Sequence, residues 1–394
     1  MDTLYKKISK ISKKITNNEP VIFDLEKKND QKKLGEFLDD GLINQISDDY
    51  VEQLRELFAV KNPTLVYTPD FENKFKDFLK KAESNTPFFE HGKWVFFPWL
   101  STLVHILEEK DFQMVRTARN CYLISPKEQE IFYNAVVGIG GLSVGNSVAL
   151  AIVLQGGAKH IRFADFDKLS LSNTNRIRAG MQNLGLAKVE VTARQIYEVN
   201  PYAKVDIFSE GLNPENIEDF FKGLDIVIDE LDNIAVKFLI REQAKRHRLA
   251  VVMAADNGDN GVVDIERYDI DPQPEFFHGR IGKVSYEQLK NLNKFEIGRT
   301  ITKHIGPENV TEKMQQSLLE MGKTIVSWPQ LGGAALLNGS AVAYCVRKIL
   351  NKEPLENNRA LISLDEKLIP DYNSLKEIEK RKKISDNFKK IFKL

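Results

Sequence analysis

The sequence predicts an α/β protein: a Rossmann-like, doubly wound, mostly parallel sheet preceded by a smaller N-terminal accessory domain. Three observations predict it. Apolar runs rich in strand formers alternate with helical segments from about Gln129 onward. A glycine-rich turn, VVGIGGLSVG, joins the first of those strands to the first helix. Polar and charged residues gather just after each strand, where a doubly wound sheet binds its ligands.

Taken in order, IFYNAVVGIG reads as a strand and SVALAIVLQGG as a helix stopped by Gly156-Gly157. HIRFADFD is the next strand. LAKVEVTARQIYEVN is a helix broken by Asn200-Pro201, and AKVDIFSEG is another strand. Asn213-Pro214 reads as a helix start, an N-cap followed by proline at the first helical position. LDIVIDEL is a buried-strand run, followed by the helix IAVKFLIREQAKRHR and the strand LAVVMAAD. Beyond Asp269 the pattern loosens into a charged connection, and VSWPQLGGAALLNGSAVAYCVRKIL reads as a last strand-turn-helix. The expected organisation is an accessory domain over 1–112, the sheet domain over 113–352 and a charged, helical C-terminal tail over 353–394. In the accessory domain DDYVEQLRELF reads as a helix. The aromatic cluster Phe88, Phe89, Trp94, Phe96, Phe97 and Trp99 reads as core rather than a binding surface.

Composition narrows the function. The 394 residues carry 56 Lys+Arg and 56 Asp+Glu, so no global field favours nucleic acid or an anionic membrane. Two cysteines, Cys121 and Cys345, exclude a disulfide framework and a four-cysteine zinc site, and point to a reducing, cytoplasmic setting. No apolar run reaches membrane-spanning length, and the N-terminus lacks the apolar region of a secretory signal. Leu4, Ile8, Ile11 and Ile15 fall at helical spacing among lysines. The expectation is a helix packed on its own domain with a solvated basic face, rather than a membrane-surface helix. IEKRKKISDNFKKIFKL is read the same way.

The glycines Gly138, Gly140 and Gly141 let backbone N–H groups approach phosphates at a helix N-terminus. Asp165 and Asp167 follow the second strand, where a carboxylate accepts from ribose hydroxyls. By itself that much favours NAD or FAD, the common ligands of such a turn. The residues that follow discriminate: Asn173 and Arg176 lie one turn apart, and Lys188 comes after Gly185. Two cations and an amide suit a triphosphate whose pyrophosphate must leave. At the end of LDIVIDEL, Asp232 is placed to hold Mg2+ bridging those phosphates.

Together VGIGGLSVG, DFDKLSLSNTNR, Lys188 and DELDN resemble the ThiF/E1-like adenylyltransferases, the superfamily of ubiquitin-activating enzymes and their bacterial relatives. RTARN, Arg116 to Asn120, is similar to that family's Arg-x-x-Arg-Gln, with Asn120 departing from the glutamine. By that match Arg119 is an arginine finger reaching the phosphates of the opposite subunit, which implies a homodimer. The resemblance implies attack of a substrate carboxylate on the α-phosphate of ATP, giving an acyl-adenylate and pyrophosphate. Arg119, Arg176, Lys188 and Asp232 would act in catalysis. The carboxylate would belong to the C-terminus of a small carrier protein or peptide, or to a small molecule. FPWL, LSVG, FFHG and WPQLG are similar to the MoeY-like branch, named for molybdopterin biosynthesis.

The pattern also breaks. No cysteine lies between Cys121 and Cys345, so the family's thioester nucleophile has no counterpart, and QPEFFHGRIG stands where a first zinc-binding pair would fall. The expectation is a chemistry that stops at the adenylate or passes it to an external or substrate-borne nucleophile, without zinc. Cys345 reads as an inert buried thiol and Cys121 as a core or interface residue. His278 and Arg280 are candidates to meet an acyl phosphate, and Ser327 and Trp328 to line an acyl channel, although structural roles compete for each. Three other readings stand beside this one: an NAD(P)- or FAD-binding oxidoreductase, a non-catalytic subunit of a heteromeric activating enzyme, and an ATP-driven dehydratase or cyclase. No basic patch with interleaved aromatics supports a tRNA ligand.

Overall fold

A computed structural model of the chain describes residues 18–83 and 86–394. The N-terminal helix expected from Leu4, Ile8, Ile11 and Ile15 lies outside the described residues. The chain divides into two compact units, Met1–Lys127 with Ala193–Ala203, and Glu128–Thr192 with Lys204–Leu394.

In the first unit four strands form a sheet of order β1-β3-β4-β2, with β1 Val21–Phe23, β2 Gln45–Asp48, β3 Lys93–Phe97 and β4 Thr102–Ile106. β3 runs antiparallel to β1 and β4, while β2 lies parallel to β4. Alternation along β3 and β4 buries Phe96 and Leu103 with Phe23 and Leu34. The predicted helix over DDYVEQLRELF is present as Tyr50–Lys61, and its Leu54, Leu57 and Phe58 pack on Phe75 and Leu107. The aromatic cluster divides: Trp94, Phe96 and Phe97 are core, whereas Phe89 is exposed.

The second unit holds the doubly wound sheet. Its order is β11-β10-β9-β8-β5-β6-β7, with β5 Val136–Gly140, β6 His160–Ala164, β7 Lys204–Phe208, β8 Ile226–Asp229, β9 Ala250–Asn257, β10 Asn260–Arg267 and β11 Arg359–Ile362. From β7 to β9 neighbouring strands are parallel. β6 and β7 lie to one side of β5 and β8 to the other, so the strand order reverses at β5 and opens a crevice beyond its carboxyl end. Val137 and Ile139 of β5 and Ile226, Val227 and Ile228 of β8 are fully buried. Each such side chain contributes about 1.5–3 kcal/mol of transfer free energy.

The structure departs from the sequence reading in four places. β10, antiparallel to β9, is not among the elements read from the sequence: Val262, Val263 and Ile265 lie between the strand LAVVMAAD and Asp269, a span assigned no element. The stretch VSW forms no strand; only the helix Gly332–Leu350 follows it. The edge strand comes later, from residues 359–362 of the segment read as a tail, and Phe388 of the terminal helix Leu375–Phe392 is buried against Val262 and Met314. Asn213 opens a turn, its Oδ1 accepting from the N–H groups of Glu215 and Asn216, and the helix itself starts at Ile217.

Candidate functional site

The glycine-rich turn leaves β5 and enters the helix Val144–Leu154. Gly141 has φ of +85°, and a Cβ there would stand 2.4 Å from the carbonyl oxygen of Glu230, so the turn requires glycine. The same contact carries the end of β8 up against the turn. Leu142 N–H donates to Asp165 Oδ2 at 2.7 Å, which fastens the turn to the end of β6. Ser143 occupies the N-cap of the helix but its side chain caps no backbone group. The N–H groups of the first helical turn lack intrahelical partners, and this N-terminus favours negative charge.

Two cations flank this turn. Arg176 Nε donates to Ser143 Oγ at 2.7 Å, and Nη1 donates to Ser172 O at 3.2 Å and to Asn175 Oδ1 at 2.9 Å. Burial pulls the Arg176 guanidinium down from its ordinary range and the charge of Asp256 opposes that shift. Lys188 Nζ donates to Asp167 Oδ2 at 2.7 Å and lies 3.8 Å from Asp165 Oδ2, the oxygen that accepts from Leu142 N–H. The Lys188 side chain is only 7% exposed.

The two carboxylates after β6 separate by role. Asp165 accepts from Leu142 N–H and Asp167 N–H, one on each oxygen, and burial raises its carboxyl. Asp167, with a side chain 50% exposed, is the one open to a ligand. Asn173 uses Oδ1 to accept from Ser170 N–H at 3.0 Å within a short turn. Beyond β8, Glu230 Oε1 accepts from Ala254 N–H at 2.9 Å, and burial pushes its carboxyl well up. Asp232 is exposed, and Asn233 caps the helix Ile234–His247 through Oδ1 to the N–H groups of Ala235 and Val236.

The structure therefore gathers Gly140, Gly141, Asp165, Asp167, Arg176 and Lys188 at one crevice, with Asn173 on the turn that carries Arg176; Gly138 lies inside β5 instead, where a Cβ would meet the core residues Leu224 and Phe220. Asp232 lies two residues past the Glu230 carbonyl that abuts Gly141. Arg119 belongs to the other unit, exposed in the short 3₁₀ turn Ala118–Asn120. Sequence reasoning missed a second ring of partners. Asp256, at the end of β9, accepts from Asn338 Nδ2 at 2.7 Å and from Gln330 Nε2 at 3.2 Å, while the Gln330 carbonyl accepts from Asn175 Nδ2 at 2.9 Å. The signal for Asp256 was present: it is a carboxylate closing the strand run LAVVMAAD.

Other candidates fall away from the crevice chemistry. Arg280 is engaged by both oxygens of Asp264 at 3.0 Å, and His278 Nε2 lies 3.1 Å from Ile265 O, so neither is free for an acyl phosphate. Trp328 packs on the cluster around Phe388 and Ser327 is exposed. Cys345 is buried, its thiol pushed up to about 11. Cys121 is exposed, which removes the core role considered for it. No group of three or more His, Cys, Asp or Glu among the described residues is arranged to hold a metal, and no described helix is long and apolar enough to cross a membrane.

Residues 123–276 match the model of the ThiF family, a span containing the glycine turn, both cations and Asp232. The chain carries a ThiF-family domain. Over 275 residues it is 36% identical to an uncharacterized protein of Mycobacterium tuberculosis, MT1398, covering 70% of this chain and 38% of that one. Over 174 residues it is 29% identical to the tRNA threonylcarbamoyladenosine dehydratase of Escherichia coli, covering 43% of this chain and 63% of the relative. The adenylyltransferase and sulfurtransferase UBA4 of Yarrowia lipolytica is 32% identical over 137 residues, 35% of this chain and 34% of its own. The chain thus spans less than two thirds of each of these relatives. Among solved structures, that of the Escherichia coli dehydratase aligns over 61% of this chain and 95% of its own with a TM-score of 0.43 and 19% identity.

Proposed function

We propose that the ThiF-family domain binds ATP at the crevice beyond β5 and activates a substrate carboxylate as an acyl-adenylate. The observation that carries the reading is the pair of cations on one uncapped helix N-terminus, Arg176 through Ser143 and Lys188 through Asp167 and Asp165. A dinucleotide pyrophosphate needs no such concentration of charge, whereas a triphosphate and its leaving pyrophosphate do. Asp167 would take the ribose hydroxyls, the Asn173 amide and the first-turn N–H groups the phosphates. One carboxylate oxygen forms a bond to the α-phosphorus as the bond to the bridging oxygen breaks, and the electron pair leaves with pyrophosphate. Arg176 and Lys188 offset the charge that develops there, and positioning does most of the rest.

Asp232 suits a Mg2+ ion, which commonly takes one or two carboxylates with phosphate oxygens and water, and which would supply charge neutralisation to the triphosphate. Arg119 would reach the phosphates from a second copy of the chain. The substrate class is the C-terminus of a small carrier protein or peptide. The absence of a cysteine between Cys121 and Cys345 favours transfer of the adenylate to a nucleophile outside the chain or on the substrate itself. A relative named as a tRNA threonylcarbamoyladenosine dehydratase keeps ATP-driven dehydration as the second reading.

The test is thermal melting of the purified chain with Mg-ATP, with NAD+ and with neither, alongside its sedimentation. Ligand at about 100 times its dissociation constant adds roughly 2.7 kcal/mol, readily seen in a melt. Mg-ATP should raise Tm in the wild type and raise it clearly less in Arg176→Ala or Lys188→Ala. A rise with NAD+ alone would end the adenylation reading. A strictly monomeric protein with full turnover would remove the role given to Arg119.

A further inference from the structure

We propose that Ser143 is a positioning residue that sets the Arg176 guanidinium across the helix N-terminus before nucleotide arrives. The inference rests on the nucleotide reading above. A serine at an N-cap ordinarily uses its oxygen to satisfy an N–H of the first turn. Ser143 stands at the N-cap of Val144–Leu154 and makes no such bond; its Oγ accepts from Arg176 Nε at 2.7 Å instead. The guanidinium is thereby held beside the helix N-terminus.

The hold on Arg176 is two-sided. Nε is fixed by Ser143 from the glycine turn, and Nη1 by Ser172 O and Asn175 Oδ1 from its own turn. Asn175 is in turn tied through Nδ2 to Gln330 O, and a Cβ on Gly332 would stand 2.3 Å from the Asn175 carbonyl oxygen, so this turn has little room to shift. Nη2 makes no hydrogen bond among the described residues, leaving one edge of the planar fork for a phosphate oxygen. Asp256, whose charge acts on Arg176, lies behind the pair, held by Asn338 and Gln330. Glycine at position 143 would leave Nε without this acceptor and let the long side chain disperse among rotamers before binding.

Titration calorimetry with Mg-ATP on the full chain tests this, using Ser143→Ala, Ser143→Gly, Ser143→Thr, Arg176→Ala and the double variant Ser143→Ala/Arg176→Ala. Ser143→Ala and Ser143→Gly should each weaken ATP about tenfold, as loss of one hydrogen bond to a charged group would. Ser143→Thr, which keeps the hydroxyl, should bind within about threefold of wild type. The double variant should bind no more weakly than Arg176→Ala, because Ser143 acts through Arg176. Glycine is well tolerated at an N-cap, so its variant separates loss of the hydroxyl from loss of the fold. Wild-type binding with unchanged affinity in Ser143→Gly, or losses that multiply in the double variant, overturns the inference alone. A wild type that gives no heat with Mg-ATP overturns the nucleotide reading and the inference together.

Discussion

Two clusters of charge in the sheet domain show opposite solutions to the same cost of desolvation. At the crevice, Arg176, Asp167 and Asp232 keep an edge or an oxygen toward solvent. Behind β8 and β10, charge is sealed and closed upon itself. Asp229 is fully buried between Arg241 and Lys237, the latter at 3.2 Å. Arg241 also holds Glu266 Oε1 at 2.8 Å and lies 4.1 Å over the Phe277 ring. Glu266 Oε2 accepts from Tyr268 Oη and from Phe277 N–H at 2.8 Å. That last bond pins a turn in which Phe277 and His278 both have positive φ, 56° and 52°, a conformation costly for non-glycine residues. Asp264 completes the cluster with Arg280, His278 and His304. Behind β8 and β10 opposite charges pair within the protein and build structure; at the crevice they keep exposed atoms.

The comparison breaks most visibly at Arg241. Removing it as Arg241→Met strands Asp229 and Glu266 without their shared cation, and loss of one partner of a buried pair costs about 3–5 kcal/mol. Urea unfolding measures it, and a loss below about 1 kcal/mol would mean that the sealed cluster is not closed. An intermediate effect belongs to pH. Burial holds His304 below its ordinary value of 6.5, outweighing the opposing charge of Asp264; Arg241 and Glu266 also face it. Stability from a depressed group is present above its unfolded value and lost as pH falls through the folded one. Unfolding free energy should therefore decline as pH drops below about 6.5, and His304→Gln should flatten that limb. Asp264, held well below its ordinary 3.8 by His278, His304 and Arg280 against its burial, adds a further loss in stronger acid, in the same direction.

The smallest structural effect is expected on the open side. Asp232→Ala should move stability by no more than about 0.5 kcal/mol, as exposed substitutions do, while removing Mg2+-dependent turnover. Calorimetric unfolding beside a pyrophosphate-exchange assay would separate the two, and normal turnover would release Asp232 from the metal role. Together these three variants place charge on one side or the other of the same sheet by what its loss damages.

Much of this protein was legible in the sequence. The glycine turn, the alternation of strands and helices, and the polar residues at strand ends are local patterns with local causes: positive φ at Gly141, buried runs such as Ile226–Asp229, and the rule that ligands lie beyond carboxyl ends. These sufficed to bring Arg176 and Lys188 to one crevice. What required the tertiary structure was pairing across distance. That Ser143 serves Arg176 rather than its own helix, that Asp165 is occupied by backbone while Asp167 faces outward, and that Asp256 joins through Gln330 and Asn338 depend on segments up to 155 residues apart. The same holds for β10 and β11, whose antiparallel register is set by neighbouring strands, and for His278 and Arg280, which a buried Asp264 claims for structure. Sequence patterns disclose which residues are charged and where a strand stops. Only the folded chain decides whether each charge finds its counterpart inside the protein or is left to meet one from solution, because that balance is struck between elements the linear order keeps apart.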